Sequence, residues 1–236
     1  MTGIAAGAGR GIFITFEGGE GAGKSTQIRR LATSLRARSG RPVVTTREPG
    51  GSLRAEAIRE ALLSGVAKPY GPFAEALLFS AARIDHLDTL IRPALARGEI
   101  VLCDRFMDST RAYQGAAGGL DPAVLASLEQ VVVGETRPDL TLILDCDPEL
   151  GLARARARQA TESDAAPDRF EAEALAFHAR LRAAFRAIAA EEPGRCAIVN
   201  AALPADSVEI AIRAVVAERL PHLMAETLGT GGSDAA

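Results

Sequence analysis

Aromatic side chains are scarce in this chain of 236 residues: 4% in all, with no tryptophan and two tyrosines. A surface that stacks successive bases is therefore not expected. Cationic excess is missing too. Lys and Arg number 27 against 30 Asp and Glu, a formal charge of -3. That excludes a broadly basic face for nucleic acid, though not a local basic pocket. Cysteines are few: Cys103, Cys146 and Cys196, with no C-x-x-C pair and no Cys/His cluster. Each falls in or at the end of an apolar run, which predicts buried thiols in a reducing compartment. His86, His178 and His222 have no metal spacing among themselves and read as structural or surface residues. No apolar run reaches the roughly 18 residues that cross a bilayer. The N-terminus has no basic stretch leading into an apolar one, so no export signal is expected and the predicted location is cytoplasmic.

What is present is an ordinary globular composition, 47% hydrophobic and 24% charged, arranged in an alternating order. Short β-rich runs, Ile12–Phe16, Pro42–Thr46, Ile100–Cys103, Leu140–Leu144 and Cys196–Val199, alternate with Ala/Leu/Arg segments of helical period. Thr26–Ser39, closed by Gly40, is one such helix. Strands that are continuously apolar suit a parallel sheet covered on both faces. The predicted fold is α/β: three layers, a five-stranded parallel sheet flanked by helices, in one domain over residues 11–228. Residues 1–10 and 229–236, small and Gly-rich, read as a flexible extension and tail. Ligands of such sheets bind beyond the carboxyl ends of the strands. There stand Glu17-Gly18, Arg47-Glu48-Pro49, Asp104-Arg105 and Asp145.

After the first strand comes Gly18-Gly19-Glu20-Gly21-Ala22-Gly23-Lys24-Ser25, a complete G-x-x-x-x-G-K-S phosphate loop, with Thr26 next. Glycines let successive N–H groups turn toward phosphate oxygens, and the following helix adds its positive end. Lys24 is placed to bridge the transferred phosphoryl group, and the Ser25 hydroxyl to ligate Mg²⁺ that arrives with ATP. No guanine-reading Asn-Lys-x-Asp segment accompanies the loop. Thr46-Arg47-Glu48-Pro49-Gly50-Gly51-Ser52 sets Arg47, a bidentate phosphate ligand, on a turn at a strand end. In Leu77-Leu78-Phe79-Ser80-Ala81-Ala82-Arg83, Phe79 and Arg83 share a helix face and could hold a nucleobase by stacking and an edge hydrogen bond. Spacing alone favours a plainer reading, core packing for Phe79 and a solvated face for Arg83.

Taken in order, FEGGEGAGKST, TREPGGS, LLFSAARIDHL, DRFMDSTRAYQG and LILDCDPELGLARARAR, then Asp168-Arg169-Phe170-Glu171, resemble bacterial thymidylate kinase (dTMP kinase). The resemblance runs from about Gly11 to Arg219. It implies a P-loop kinase with a mobile lid, transferring phosphoryl from ATP to dTMP, and a homodimer packed through helices. It implies that Glu20 accepts from the sugar 3′-hydroxyl and that Arg47 and Arg105 hold the dTMP phosphate. Phe79 would stack on thymine and Arg83 donate to its O4. Thr110 and Gln114 would line the base and sugar pocket, and Tyr113 would exclude a ribose hydroxyl. Asp104 would act on Mg²⁺, through water. The lid would span Leu152–Glu171, with Gln159 to Asp168 as its polar stretch. The acidic Glu20 leaves the phosphate loop without an arginine, so the resemblance implies that the lid supplies one, Arg156 or Arg158. Adenine contacts would follow Val199.

Two departures stand out. Phe106 follows Asp104-Arg105 where the family commonly has Tyr or His, so any side-chain hydrogen bond from that position is lost. The lid's polar stretch is also long. Two other readings remain: a kinase for another nucleoside monophosphate or a deoxynucleoside, and a P-loop ATPase that is no kinase. Two phosphate-directed arginines, Arg47 and Arg105, favour a monophosphate acceptor.

Overall fold

A computed structural model describes residues 10–161 and 173–224. The tail at 229–236, most of the N-terminal extension, and Asp168 and Glu171 of the lid lie outside the described residues. The strands are β1 (Ile12–Glu17), β2 (Val43–Arg47), β3 (Ile100–Asp104), β4 (Leu140–Asp145) and β5 (Cys196–Asn200). The helices are α1 (Lys24–Arg38), α2 (Leu53–Leu63), α3 (Gly71–His86), α4 (Arg92–Ala96), α5 (Met107–Thr110), α6 (Pro122–Val132), α7 (Pro148–Thr161), α8 (Leu175–Glu191) and α9 (Ala205–Arg219). Wide π turns, Leu87–Ile91 and Arg111–Ala117, extend α3 and α5.

All five strands are parallel, in the order β2-β3-β1-β4-β5. Each lies at one of the five predicted runs and extends one residue further toward its carboxyl end. Side-chain alternation explains the layers. Ile14 and Phe16 of β1, with Leu140, Leu142 and Leu144 of β4, pack under α1 and α9. Phe13, Val101 and Cys103 face the opposite layer, where Leu87, Ile91, Phe106 and Val132 cover them. Ile143 meets Leu181, Phe185 and Ile188 of α8 on that same side. Every strand residue of β1 after Ile12 is buried. This is why the run reads as continuously apolar rather than alternating. All three cysteines are buried and unpaired, and burial pushes the Cys103 thiol well above its usual range.

Register aligns the strand ends. Phe16 and Arg47 both pair with Asp104, Glu17 with Ile143, and Asp145 with Asn200. Right-handed crossovers therefore deliver the polar strand ends to one edge of the sheet.

Candidate active site

A cavity of about 520 Å³ opens at that edge. The phosphate loop forms its floor. Gly18, Gly21 and Gly23 all have left-handed or related positive φ, of 133°, 65° and 86°. A Cβ on Gly21 would sit 1.9 Å from the carbonyl oxygen of Gly151 in α7, so only glycine fits there. Lys24 is buried, and its Nζ donates to the Gly18 carbonyl at 3.1 Å and the Gly19 carbonyl at 2.9 Å. Burial lowers its pKa, followed by repulsion from Arg105, with Glu20 and Asp104 acting the other way. The Ser25 hydroxyl donates to Asp104 Oδ2 at 2.7 Å. Hydroxyl and carboxylate thus meet beside the loop.

Arg105 projects over the same floor. Its Nη1 donates to the Gly18 carbonyl at 3.0 Å and its Nη2 to Glu20 Oε1 at 2.5 Å. Tyr113 donates its hydroxyl to the same Glu20 oxygen at 2.7 Å, and the Arg105 guanidinium lies 5.0 Å from the Tyr113 ring centroid. Burial would raise the Glu20 pKa, but Arg105, Lys24 and the Tyr113 hydroxyl outweigh it and hold the carboxyl down at about 2. Arg105 itself has a φ of 66°, a left-handed conformation that costs a non-glycine residue about 1–3 kcal/mol.

The far wall is a buried polar relay. Arg83 is 5% exposed, which excludes a solvated helix face. Its Nε donates to Glu48 Oε2 at 2.7 Å, and its Nη2 to the Phe106 carbonyl and the Thr110 hydroxyl, both at 3.1 Å. His86 Nδ1 lies 3.1 Å from Glu48 Oε1 and His86 Nε2 lies 2.7 Å from the Thr46 hydroxyl. Phe79 is half-buried and lines the cavity beside Arg83. Gln114 is buried and donates to Glu75 Oε2 at 3.2 Å. Phe106 compensates for its missing polar tip. Its ring packs edge-on against Phe13 at 4.9 Å and under the Arg83 guanidinium at 5.1 Å, while its backbone makes the hydrogen bonds.

The arginines of α7 part company. Arg158 lines the cavity. Arg156 is exposed and does not line it. Arg154 donates to the carbonyls of Ala201 at 2.7 Å and Ala202 at 3.1 Å, tying α7 to the loop after β5. Asp145, at a strand end like the others, is turned instead to α8. It accepts from Arg182 at 2.7 and 3.1 Å and from Arg186 at 2.9 Å, and hydrogen bonding by Arg182 lowers its pKa despite burial. Arg47 is exposed at the cavity rim, its Nη2 shared between the two Glu56 oxygens at 2.9 and 3.0 Å.

Several lining residues carry no sequence signal. Arg29 and Arg59 add cations at the rim, and Arg59 donates to the Pro49 carbonyl at 2.7 Å. Each looks like any helical surface arginine, and Arg59 reaches the rim because α2 folds back over the Glu48–Pro49 turn. Ser109 lines the cavity and accepts from Arg105 at 3.3 Å. Among the described residues no group of three or more His, Cys, Asp or Glu side chains could hold a metal ion.

A phosphate loop opening onto a second, arginine-lined wall defines a P-loop nucleotide-binding α/β protein with room for two phosphorylated ligands. The sequence model described as "Thymidylate kinase" matches residues 16–212. A thymidylate kinase of Rhodopseudomonas palustris (strain TIE-1) is 60% identical over 212 residues, covering 89% of this chain and 90% of that protein. One of Caulobacter vibrioides is 56% identical over 211 residues, covering 89% and 98%. The crystal structure of thymidylate kinase from Ehrlichia chaffeensis superposes with a TM-score of 0.68 at 32% identity, covering 88% of this chain and all of that one. The chain belongs to the thymidylate kinase family.

Proposed function

We propose that this protein transfers the γ-phosphoryl group of ATP to dTMP, giving dTDP and ADP. One observation carries the reading: a single cavity holds both the phosphate loop and the Arg83–Phe79 wall, with Arg105 between them. The loop N–H groups and Lys24 take the ATP phosphates, with Gly18 through Thr26 as the cradle. Arg47 and Arg105 take the dTMP phosphate. Arg83, fixed by Glu48 and Thr110, presents a cation to the thymine edge while Phe79 offers its face. Glu20 reads the sugar 3′-hydroxyl, and Tyr113 stands where a ribose 2′-hydroxyl would clash. Gln114 and Thr110 complete the base pocket.

Phosphoryl transfer leaves the protein little covalent work, so rate comes from alignment and charge. Arg105 reaches toward both phosphates, and Arg158 adds the α7 charge; its place in the cavity lining supports that choice over Arg156. Ser25 and Asp104 fit Mg²⁺ that comes with ATP, because a hydroxyl and a carboxylate suit a hard cation whose remaining ligands are phosphate and water. Mg²⁺ would neutralise phosphate charge there. No described helix is long and apolar enough to cross a membrane. Three buried free thiols fit a reducing, cytoplasmic setting. Phe73, Leu77 and Ile84 leave an exposed apolar stripe on α3, with Val131 of α6 also exposed. We assign this stripe to the homodimer contact. Light scattering on Leu77→Glu should then report a monomer where the unmodified chain is a dimer.

Coupled ADP release with dTMP, dUMP, CMP, AMP and thymidine as acceptors tests the reaction. We expect dTMP to give the highest kcat/KM, and thymidine none. ADP release that ignores the acceptor would contradict the proposal.

A further inference from the structure

Glu17 ends β1 and is completely buried, and its carboxylate does not line the cavity. Its carboxylate hydrogen-bonds to one turn. Oε1 accepts from the backbone N–H of Phe106 at 2.7 Å and of Ser109 at 3.2 Å. Oε2 accepts from the Ser109 hydroxyl at 2.6 Å. A buried carboxylate is tolerated only when its oxygens are satisfied, and here three donors satisfy them. The turn they belong to is the one that carries Arg105 at φ 66°.

The last two residues of β1 therefore grip both sides of Arg105. The Phe16 carbonyl accepts the Arg105 N–H at 2.9 Å, and Glu17 accepts the next N–H along. Ser109, fixed by Glu17 through both its N–H and its hydroxyl, in turn accepts from Arg105 Nη1. Backbone and guanidinium of Arg105 are thus each tied to one carboxylate through one neighbour, Phe106 for the backbone and Ser109 for the guanidinium. A left-handed arginine persists only where surrounding contacts over-determine it. Burial and the neighbouring Asp108 push the Glu17 pKa up to about 7, while the Ser109 hydroxyl, Arg105 and the Phe106 N–H act the other way, and Asp108 is itself engaged by Arg195 at 2.7 and 2.9 Å.

We propose that Glu17 is a positioning residue for the acceptor phosphate: its carboxylate holds the Phe106–Ser109 turn so that the Arg105 guanidinium faces the cavity. The inference rests on the role given above to Arg105. It differs from a general structural role in one respect, because its whole effect on dTMP must pass through Arg105.

The test is a double-mutant cycle on dTMP affinity, read by titration calorimetry with ADP affinity as control. Glu17→Gln keeps the side-chain shape but turns an amide NH2 donor toward the donors of the turn. It should weaken dTMP binding about tenfold where Arg105 is present and less than twofold in an Arg105→Ala background, the loss expected when a buried hydrogen bond to a charged group is degraded. Within each background, Glu17→Gln should leave ADP affinity within twofold. Equal losses in both backgrounds, or no loss with Arg105 present, would overturn the proposal. Should Glu17→Gln not fold, Ser109→Ala reads the same coupling. A loss that disappears with Arg105→Ala supports the inference, and unchanged dTMP affinity refutes it. An unmodified protein that binds no dTMP would instead sink the acceptor assignment, and this inference with it.

Discussion

The two walls of the cavity are built differently. The acceptor wall, apart from the exposed Arg47 at its rim, is buried and cross-tied: Arg83 to Glu48, Glu48 to His86, His86 to Thr46, and Glu20 to Arg105 and Tyr113. The α7 wall presents arginines from an exposed helix face, with Arg154 held on the carbonyls of Ala201 and Ala202. Buried polar networks rigidify a site, because every broken bond leaves an unsatisfied group in a low dielectric. A solvent-exposed side chain is less confined by packing than a buried one. We propose from the contrast that the acceptor pocket is formed before its ligand arrives and that the donor-side wall completes itself afterwards. It matches the chemistry, since water must be excluded only once both phosphates are in place.

Five substitutions probe that contrast. Lys24→Ala, which removes the buried cation common to both halves, should lower kcat about a thousandfold or more while circular dichroism stays unchanged. Near-normal turnover would contradict the assignment of the loop. Glu20→Gln should cut kcat/KM for dTMP by about 10–100-fold, since a hydrogen bond to a charged group is weakened, and leave ATP affinity nearly intact. Equal loss of both would remove the sugar-reading role.

Stability separates the walls directly. Glu48→Ala strips Arg83 and His86 of their shared partner and should lower the unfolding free energy by about 3–5 kcal/mol in urea titrations. Arg156→Ala should stay within about 0.5 kcal/mol. In turnover, Arg158→Ala should lower kcat about tenfold or more and Arg156→Ala by less than threefold, the usual span for one phosphate-directed charge against a solvated one. The reverse order would exchange their roles.

The smallest expected effect concerns pH. Glu20 is held at about 2 in the folded chain against an ordinary 4.5. A depressed pKa adds stability above the unfolded value, and that stability is lost as pH falls from 4.5 toward 2. Glu20→Gln should therefore show a shallower acid limb over that window. An identical limb would mean that Arg105 and Lys24 do not hold the carboxyl down.

Which of these features can be read in the sequence depends on how far apart the partners lie. The phosphate loop is contiguous, and its function follows from local backbone geometry. Strands show because burial on both faces makes them continuously apolar. Arg83 and Phe79 share a face by helical spacing, but whether that face is buried depends on Glu48, 35 positions away. Asp145 and Asp104 look alike as acidic strand ends. Only the packing of α8 distinguishes them, because Arg182 and Arg186 claim Asp145 while Ser25 meets Asp104. Glu17 shows in the sequence as a polar strand end, but what it holds does not, for a related reason. Its donors, Phe106 and Ser109, stand 89 and 92 positions later and are joined to it only by the β1–β3 pairing. Local motifs report chemistry, whereas the groups that aim it are assembled by topology.

A crystal structure with dTMP bound tests this account most directly. The account predicts that Glu20 lies within hydrogen-bonding distance of the 3′-hydroxyl. It also predicts that Arg83, Arg105 and Tyr113 keep their positions to within about 1 Å, as in preorganised sites, while Arg158 moves inward. Acceptor arginines that rearrange around the ligand, with Glu20 away from the sugar, would contradict it.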